Sequence, residues 1–254
     1  MLIFISNIFI SLIGWDGLGI TSFLLVIFYK NRKRLGSGFI TALTNRIGDC
    51  LIIACLGCFQ IDDAHCLPLI LLLFLSITKR AQYPFSSWLP AAMAAPTPVR
   101  TLVHSSTLVT AGIYMLIRYC FVDLNILIVI GRLTTLIAGL AACAEIDLKK
   151  VVALRTLSQL GIIVVALGYG SKSYCFFHLL SHACFKALLF ICVGCAIHAV
   201  YGTQEFRSFN RLSTSFTLIM FSSLSIMSLI GFPYTSGFFR KDKILELMIG
   251  GGSA

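Results

Sequence analysis

The chain has 254 residues, of which 58% are hydrophobic and 12% are charged, and its mean hydropathy is +0.93. This composition excludes a soluble domain and indicates a polytopic membrane protein. The net charge is +10, but the basic residues form no stripe with interleaved aromatic residues, so we expect no nucleic acid as a partner. The expected partner is the lipid bilayer.

Apolar windows of about 20 residues, the length that crosses a bilayer, predict about eight transmembrane helices. Their expected bounds are 7–29, 40–59, 67–89, 98–120, 124–144, 149–169, 174–200 and 215–240. Such long runs without strict alternation favour helices over a closed barrel, because backbone polar groups in lipid must be satisfied internally. The predicted fold class is all-α, a polytopic membrane helix bundle with one transmembrane domain over 1–254.

Basic residues are unevenly distributed among the predicted loops. The odd-numbered loops carry Lys30, Arg32, Lys33, Arg34, Lys149, Lys150, Arg207 and Arg211, whereas the even-numbered side carries Lys172 and Arg118. By the positive-inside rule the odd loops face the cytoplasm or matrix, and the N-terminus lies on the opposite side. The excess positive charge is therefore a topological signal.

The 10 cysteines include two C-x-x-C spacings, Cys55/Cys58 and Cys192/Cys195. In a soluble protein this spacing indicates a metal or redox site. Here both pairs lie inside apolar helices without nearby cations, which favours packing by small soft side chains. We expect no metal to be bound by this chain.

Charged residues inside the first two spans are the first candidates for a functional site. A charge at mid-membrane costs about 2.5–3.5 kcal/mol, so it commonly marks an ion or proton path. Asp16 is expected to be a buried acid, because the apolar run continues on both sides of it and disfavours a capping role. Arg46 and Asp49 are spaced i, i+3 and are able to pair, either for function or only to hold helices together.

Lys79 in the third span precedes several prolines, among them Pro84 and Pro90, so the helix cannot continue unbroken. Broken helices expose backbone groups where they line a wet cavity in transporters. Lysine suits proton transfer because burial disfavours its charged form and a nearby carboxylate restores it. The alternative is snorkelling to the interface, which is more plausible for Arg80.

The seventh span places His178, His182 and Lys186 at i, i+4 and i+8 on one helix face, about 6 Å apart along the axis at each step. Such a ladder can relay protons through bridging water. The i, i+4 histidines also match a metal-ligand spacing, but no third ligand completes a metal site, so the relay is favoured.

Two further polar positions extend this set of candidates. His104 adds a polar patch in the fourth span. Lys241 and Asp242 lie near Gly231 and Pro233, which predict an interruption of the eighth span.

These residues occur in motifs that together cover nearly the whole chain. The motifs are GWDGLG at 14–19, TNRIGD at 44–49, SWLPAAMAAPTP at 87–98, HSSTLVTAG at 104–112, DLKKVVA at 147–153, the segment 178–186, and GFF with KD at 237–242. With these motifs the chain resembles the antiporter-like subunit 5 family of mitochondrial NADH:ubiquinone reductase, respiratory complex I.

The resemblance implies a core of two inverted five-helix repeats. It implies that 1–120 is part of the first repeat, that 121–254 is part of the second, and that the core is incomplete at both ends. It implies that the discontinuous helices carry Lys79 and Lys241 and that Asp16 pairs with Lys79. It implies a proton path along Asp16, Lys79, His104, Lys149, His178, His182, Lys186 and Lys241, with Arg46, Asp49, Asp147 and Asp242 in support.

The implied function is proton translocation in the mitochondrial inner membrane, coupled to NADH oxidation by quinone. No flavin, iron–sulfur, NADH or quinone motif is present, so NADH, FMN, iron–sulfur clusters and ubiquinone are expected in other subunits, and other membrane subunits of complex I are the expected partners. The alternatives are a subunit of a multi-subunit cation/proton antiporter, and a non-functional or mis-decoded gene fragment.

Four arginines stand where this family usually has serine: Arg34, Arg100, Arg155 and Arg240. We hypothesise that an invertebrate mitochondrial gene was translated with the standard code, which reads AGA and AGG as arginine. Arg100 and Arg155 are expected in apolar surroundings, where arginine is costly. The coding DNA tests the hypothesis, and CGN codons at these two positions contradict it.

Overall fold

The computed structural model describes residues 3–4, 8–28, 32–61, 77–79, 81–86, 88–93, 99, 101, 107–119, 125–211 and 215–250. These residues are mainly α-helical, with one short 3-10 helix and an isolated bridge between Asp147 and Glu205. The α-helices are α1 (Ile8–Ile27), α2 (Arg32–Ile61), α3 (Trp88–Ala92), α4 (Leu108–Tyr119), α5 (Asn125–Ala144), α6 (Leu148–Gly168), α7 (Lys172–Ala199), α8 (Phe216–Ile230) and α9 (Ser236–Ile249); the 3-10 helix is Phe206–Arg211.

The helices confirm the predicted all-α membrane class. Five described segments are long and apolar enough to cross a membrane: Ile10–Ile27, Leu35–Cys58, Asn125–Ala144, Leu148–Gly168 and Lys172–Ala199. They correspond to the first, second, fifth, sixth and seventh predicted spans. Helix α2 begins at Arg32, before the predicted start at 40, because a helix can extend past its apolar window into basic interfacial residues. Most of the third span lies outside the described residues.

The eighth predicted span is two helices, and the interruption expected from its glycine and proline is confirmed. Helix α8 ends at Ile230 and is capped by Gly231, whose φ of +91° is a left-handed conformation that favours glycine. Helix α9 then begins at Ser236 and continues to Ile249, beyond the predicted end at 240. A side chain at Gly237 would collide with the Ser228 carbonyl oxygen, so the two helices approach at backbone distance.

Helix α6 lies at the centre of the described bundle, and most of its residues are buried. Its closest neighbour is α5, and the two helices cross at a pair of glycines. A Cβ at Gly161 would lie 2.9 Å from the Gly131 carbonyl oxygen, so these helices also pack backbone against backbone. Helix α7 packs against α6, α8 and α9.

Apolar side chains also cover the outside of the bundle. Large hydrophobic residues are exposed along α1, α5 and α8, for example Leu24, Leu136 and Leu224. A water-soluble protein rarely exposes contiguous apolar surface of this extent, whereas lipid-facing helices do. The interior is correspondingly polar at several points, and these points contain the candidate sites.

Candidate functional site

Lys79 lies in a buried cluster formed by α1, α2 and the break in the third span. Its side chain is only 1% exposed, and Nζ lies 3.4 Å from Asp49 Oδ1. Nζ also donates a hydrogen bond of 2.9 Å to the Trp15 carbonyl oxygen and lies 4.0 Å from the centroid of the Trp15 ring. A carboxylate, a backbone dipole and an aromatic face therefore all stabilise the lysine charge.

Trp15 also holds the carboxylate that faces Lys79. Its indole Nε1 donates to Asp49 Oδ1 at 3.1 Å, and the tryptophan is fully buried. The second oxygen, Asp49 Oδ2, lies 3.7 Å from Arg46 Nη1, which confirms that the i, i+3 pair forms. The sequence motif GWDGLG contains Trp15 without indicating this role, and the signal for it is an aromatic residue next to an intramembrane acid.

Two expectations for Asp16 are corrected by the structure. Its side chain is 32% exposed instead of buried, and it pairs with Arg46, whose Nη1 lies 3.1 Å from Asp16 Oδ1. The implied direct pair with Lys79 does not form, because Asp49 occupies the position beside the lysine. Trp15 and Asp16 are adjacent on α1 and therefore point about 100° apart, so only one of them faces the cluster interior.

The backbone break expected after Lys79 is present. Residues 77–79 are helical, and the described residues that follow are irregular until α3 begins at Trp88. The backbone N–H of Gln82 donates to the Ile77 carbonyl oxygen at 3.2 Å, and the Trp88 indole N–H donates to the Thr78 carbonyl oxygen at 3.1 Å. These bonds satisfy carbonyl groups that the broken helix leaves free, which is required inside a membrane.

The second cluster is the predicted ladder on α7. His178, His182 and Lys186 share one face and are almost completely buried. The two imidazole rings are 6.3 Å apart between centroids. None of their four ring nitrogens has a hydrogen-bond partner among the described residues. Lys186 Nζ donates to the Val152 carbonyl oxygen of α6 at 3.4 Å.

Lys241 on α9 lies at the break between α8 and α9. Its Nζ donates to the carbonyl oxygens of Leu229 and Ile230, at a distance of 3.0 Å for Ile230. These are C-terminal carbonyl groups of α8, which a lysine satisfies by charge as well as by hydrogen bonding. Asp242, which was expected to support this site, forms no ion pair within the described part of the chain.

Arg240, which stands where the family usually has serine, is a buried residue with a structural role that the sequence does not indicate. Its guanidinium donates to Ser181 Oγ at 2.7 Å, to the His178 carbonyl oxygen at 3.5 Å and to the Ser228 carbonyl oxygen at 3.4 Å. It therefore connects α7, α8 and α9 next to the ladder. Arg155 is exposed on α6 and lies among mainly aliphatic side chains such as Val151 and Val152, in agreement with the apolar surroundings expected for it.

Three further residues of the predicted path and its support are Lys149, Asp147 and His104. Lys149 is buried at the start of α6, whereas Asp147 is partly exposed and lies 3.2 Å from Lys150 Nζ. His104 lies outside the described residues. The structure therefore forms two polar clusters, one around Lys79 and one from His178 to Lys241, and the path between them through His104 stays a prediction.

Neither C-x-x-C pair is a disulfide, since Cys55, Cys58, Cys192 and Cys195 are all free cysteines. Among the described residues, no group of three or more His, Cys, Asp or Glu side chains is placed to hold a metal ion.

A buried lysine at one helix break, a partly buried lysine at another and a buried His/His/Lys ladder define a membrane protein of the antiporter-like class. A family profile described as "NADH:quinone oxidoreductase/Mrp antiporter, TM" matches residues 6–253. The chain belongs to this family. The match confirms the resemblance that the sequence motifs indicated.

Similar proteins agree with this assignment. The chain is 50% identical to "NADH-ubiquinone oxidoreductase chain 5" of Artemia franciscana over 97% of this chain and 48% of that protein. It is 48% identical to the protein of the same name from Lumbricus terrestris over 97% and 46%, respectively. The chain thus spans about half the length of these two curated relatives.

Two solved structures share the fold. The Mrp complex from a Dietzia species matches with a TM-score of 0.84 and 26% identity, covering 97% of this chain and 30% of that chain. The membrane-bound sulfane sulfur reductase, an archaeal respiratory membrane complex, matches with a TM-score of 0.82, covering 94% and 55%. At 22% identity the second match supports the fold alone.

Proposed function

We propose that the chain provides a proton path in a membrane subunit of mitochondrial NADH:ubiquinone reductase, without redox chemistry of its own. The observation that carries the proposal is the buried lysine at a helix break, Lys79, held 3.4 Å from the Asp49 carboxylate. The 45–50% identity to proteins named NADH-ubiquinone oxidoreductase chain 5 supports this choice of complex. The inner mitochondrial membrane follows as the proposed location.

In this proposal a proton reaches the cluster of Asp16, Asp49 and Lys79, moves along the polar axis and leaves near Lys241. The unpartnered ring nitrogens of His178 and His182 support the relay. Buried polar atoms are nearly always hydrogen-bonded, to water where protein offers nothing, so water molecules are suitable links between these rings. His104 and Lys149 remain proposed members of the path.

The exposed side of the first cluster supports protein partners in the membrane. Arg46 is 60% exposed and Asp16 is 32% exposed on helices that cross the bilayer. Charged groups in direct contact with lipid at this depth are costly. Other membrane subunits of the complex are therefore the proposed cover for this face. The redox steps belong to other subunits of the complex, which are expected to bind NADH, FMN, iron–sulfur clusters and ubiquinone.

Lysine substitutions test the proposal in the assembled complex. We expect Lys79→Met and Lys186→Met each to reduce the protons pumped per NADH oxidised, because each removes a titratable group from the path. Lys243→Met is the matched control, because this lysine is exposed on α9 and pairs only with Glu246 among the described residues. Unchanged pumping in both buried-lysine variants would remove the lysine relay.

A subunit of a multi-subunit cation/proton antiporter is the second candidate. The likeness to the Mrp complex, with a TM-score of 0.84 and 26% identity, favours it, and the family profile covers both kinds of complex. Purification of the native complex distinguishes the two candidates. Quinone-reductase subunits in the purified complex support the first, and sodium-dependent proton exchange without NADH oxidation supports the second.

A further inference from the structure

A cavity of about 460 Å³ lies between α6, α7, α8, α9 and the 3-10 helix. Most of its wall is aliphatic, with residues such as Val151, Leu189 and Ile226 from three different helices. Three basic residues also line it: Arg155, Lys186 and Lys241. The cavity is therefore amphipathic, with long apolar walls and a cationic part.

The cationic part has no carboxylate to balance it among the described residues. Of the described residues that line the cavity, none is Asp or Glu. Lys186 and Lys241 donate only to backbone carbonyl oxygens within the described part of the chain, and the Arg155 guanidinium makes no hydrogen bond or ion pair there. Cations that share a poorly solvated space repel one another and are stabilised by an anion, so the charge pattern selects an anionic ligand.

The volume and the apolar walls select the rest of the ligand. At roughly 30 Å³ for each group the size of a water molecule, 460 Å³ accommodates about 15 such groups. One acyl chain with its carboxylate is about this size. A small inorganic anion would leave the apolar walls without a partner, whereas a hydrocarbon chain gains from contact with them.

We propose that this cavity binds a long-chain fatty acid, with its carboxylate beside Arg155, Lys186 and Lys241 and its acyl chain along α8. Ile226 and Ile230 line the cavity and are exposed side chains of α8, so the acyl chain would lie along an accessible apolar surface. The site shares Lys186 and Lys241 with the proposed proton path but assigns them a ligand that the path does not include, and its test does not require pumping.

Photolabelling in native membranes tests the proposal. A palmitate analogue with a diazirine in its acyl chain is cross-linked to the assembled protein, and labelled peptides from α6 and α8 are quantified. Palmitate is expected to compete, whereas hexadecanol, which lacks the charge, and acetate, which lacks the chain, are not. Equal competition by hexadecanol or by phosphatidic acid would overturn the proposal, because it would indicate ordinary lipid contact or a two-chain ligand.

Two variants address the charged and apolar parts separately. In a chain with arginine at position 155, Arg155→Gln is expected to lower labelling about tenfold, the effect of one lost charge-assisted contact. Ile226→Trp is expected to lower it by filling the cavity without changing charge. Lys243→Gln removes an exposed lysine from α9 that does not line the cavity, and is expected to label normally. Labelling is normalised to the amount of assembled protein, and equal labelling of all three variants would refute the site.

Discussion

Replacement of Trp15 by phenylalanine separates the role of the indole N–H from that of aromatic packing in the Lys79 cluster. The indole donates to Asp49 Oδ1 at 3.1 Å, and the same oxygen lies 3.4 Å from Lys79 Nζ. Phenylalanine keeps an aromatic ring beside the lysine but cannot donate. The Asp49 carboxylate then loses the contact that fixes its orientation towards Lys79.

The size of the expected effect follows from the negative charge of the Asp49 carboxylate, which accepts the hydrogen bond from the indole. A hydrogen bond to a charged group contributes about 1.5–3 kcal/mol, which corresponds to about a 10- to 150-fold change in an equilibrium. Without the indole, Asp49 has a competing partner in Arg46, whose Nη1 lies 3.7 Å from the other carboxylate oxygen. We therefore expect the Asp49–Lys79 contact to be populated less, and the number of protons pumped per NADH oxidised to fall if the pair is required in each cycle.

Trp88→Phe is the matched control for this experiment. Trp88 is equally buried, and its indole donates at 3.1 Å to the Thr78 carbonyl oxygen, a neutral acceptor next to Lys79. Its loss costs only about 0.5–1.5 kcal/mol and changes no ion pair. Proton pumping and NADH oxidation are measured together in reconstituted vesicles, at equal amounts of assembled complex. The reasoning fails if Trp15→Phe pumps as well as Trp88→Phe.

Two further predictions follow from the same contacts and from helix packing. Asp49→Asn is expected to reduce pumping more than Asp16→Asn. The reason is that breaking a buried ion pair costs about 3–5 kcal/mol, whereas breaking an exposed one costs about 0.2–1 kcal/mol. The opposite order in the vesicle assay would contradict the assignment of Asp49 as the partner of Lys79. Gly161→Ala is expected to destabilise the bundle by about 1–3 kcal/mol, because its Cβ would lie 2.9 Å from a carbonyl oxygen of α5. Gly139→Ala, with nothing within 4 Å, is its control in thermal unfolding.

Hydropathy and proline or glycine positions were enough to predict most of the fold. The spans at 124–144, 149–169 and 174–200 agree with α5, α6 and α7 within two residues, because uninterrupted apolar runs in lipid have no alternative to helix. The break in the eighth span was also predictable, since only glycine readily adopts the φ of Gly231. The helix that continues to Ile249 was not, because its amphipathic sequence falls below the hydropathy of a span.

The sequence was less informative about which charges meet. The i, i+3 pair of Arg46 and Asp49 and the one-sided ladder on α7 follow from helical periodicity alone. The choice between Asp16 and Asp49 as the partner of Lys79 depends instead on the rotation of α1 against α2. That rotation is set by packing between helices, which a single sequence does not encode as a local pattern.

The two clusters differ in what a moving proton must disturb. Around Lys79, charge is balanced by direct protein contacts, so a change of protonation there breaks or forms an ion pair and alters the field over neighbouring helices. On α7, the rings of His178 and His182 have no described protein partner, so they can exchange protons without breaking a side-chain contact. In the proposed function, the first cluster is therefore the element that responds to a partner subunit at the exposed Asp16 and Arg46, and the ladder is the element that conducts.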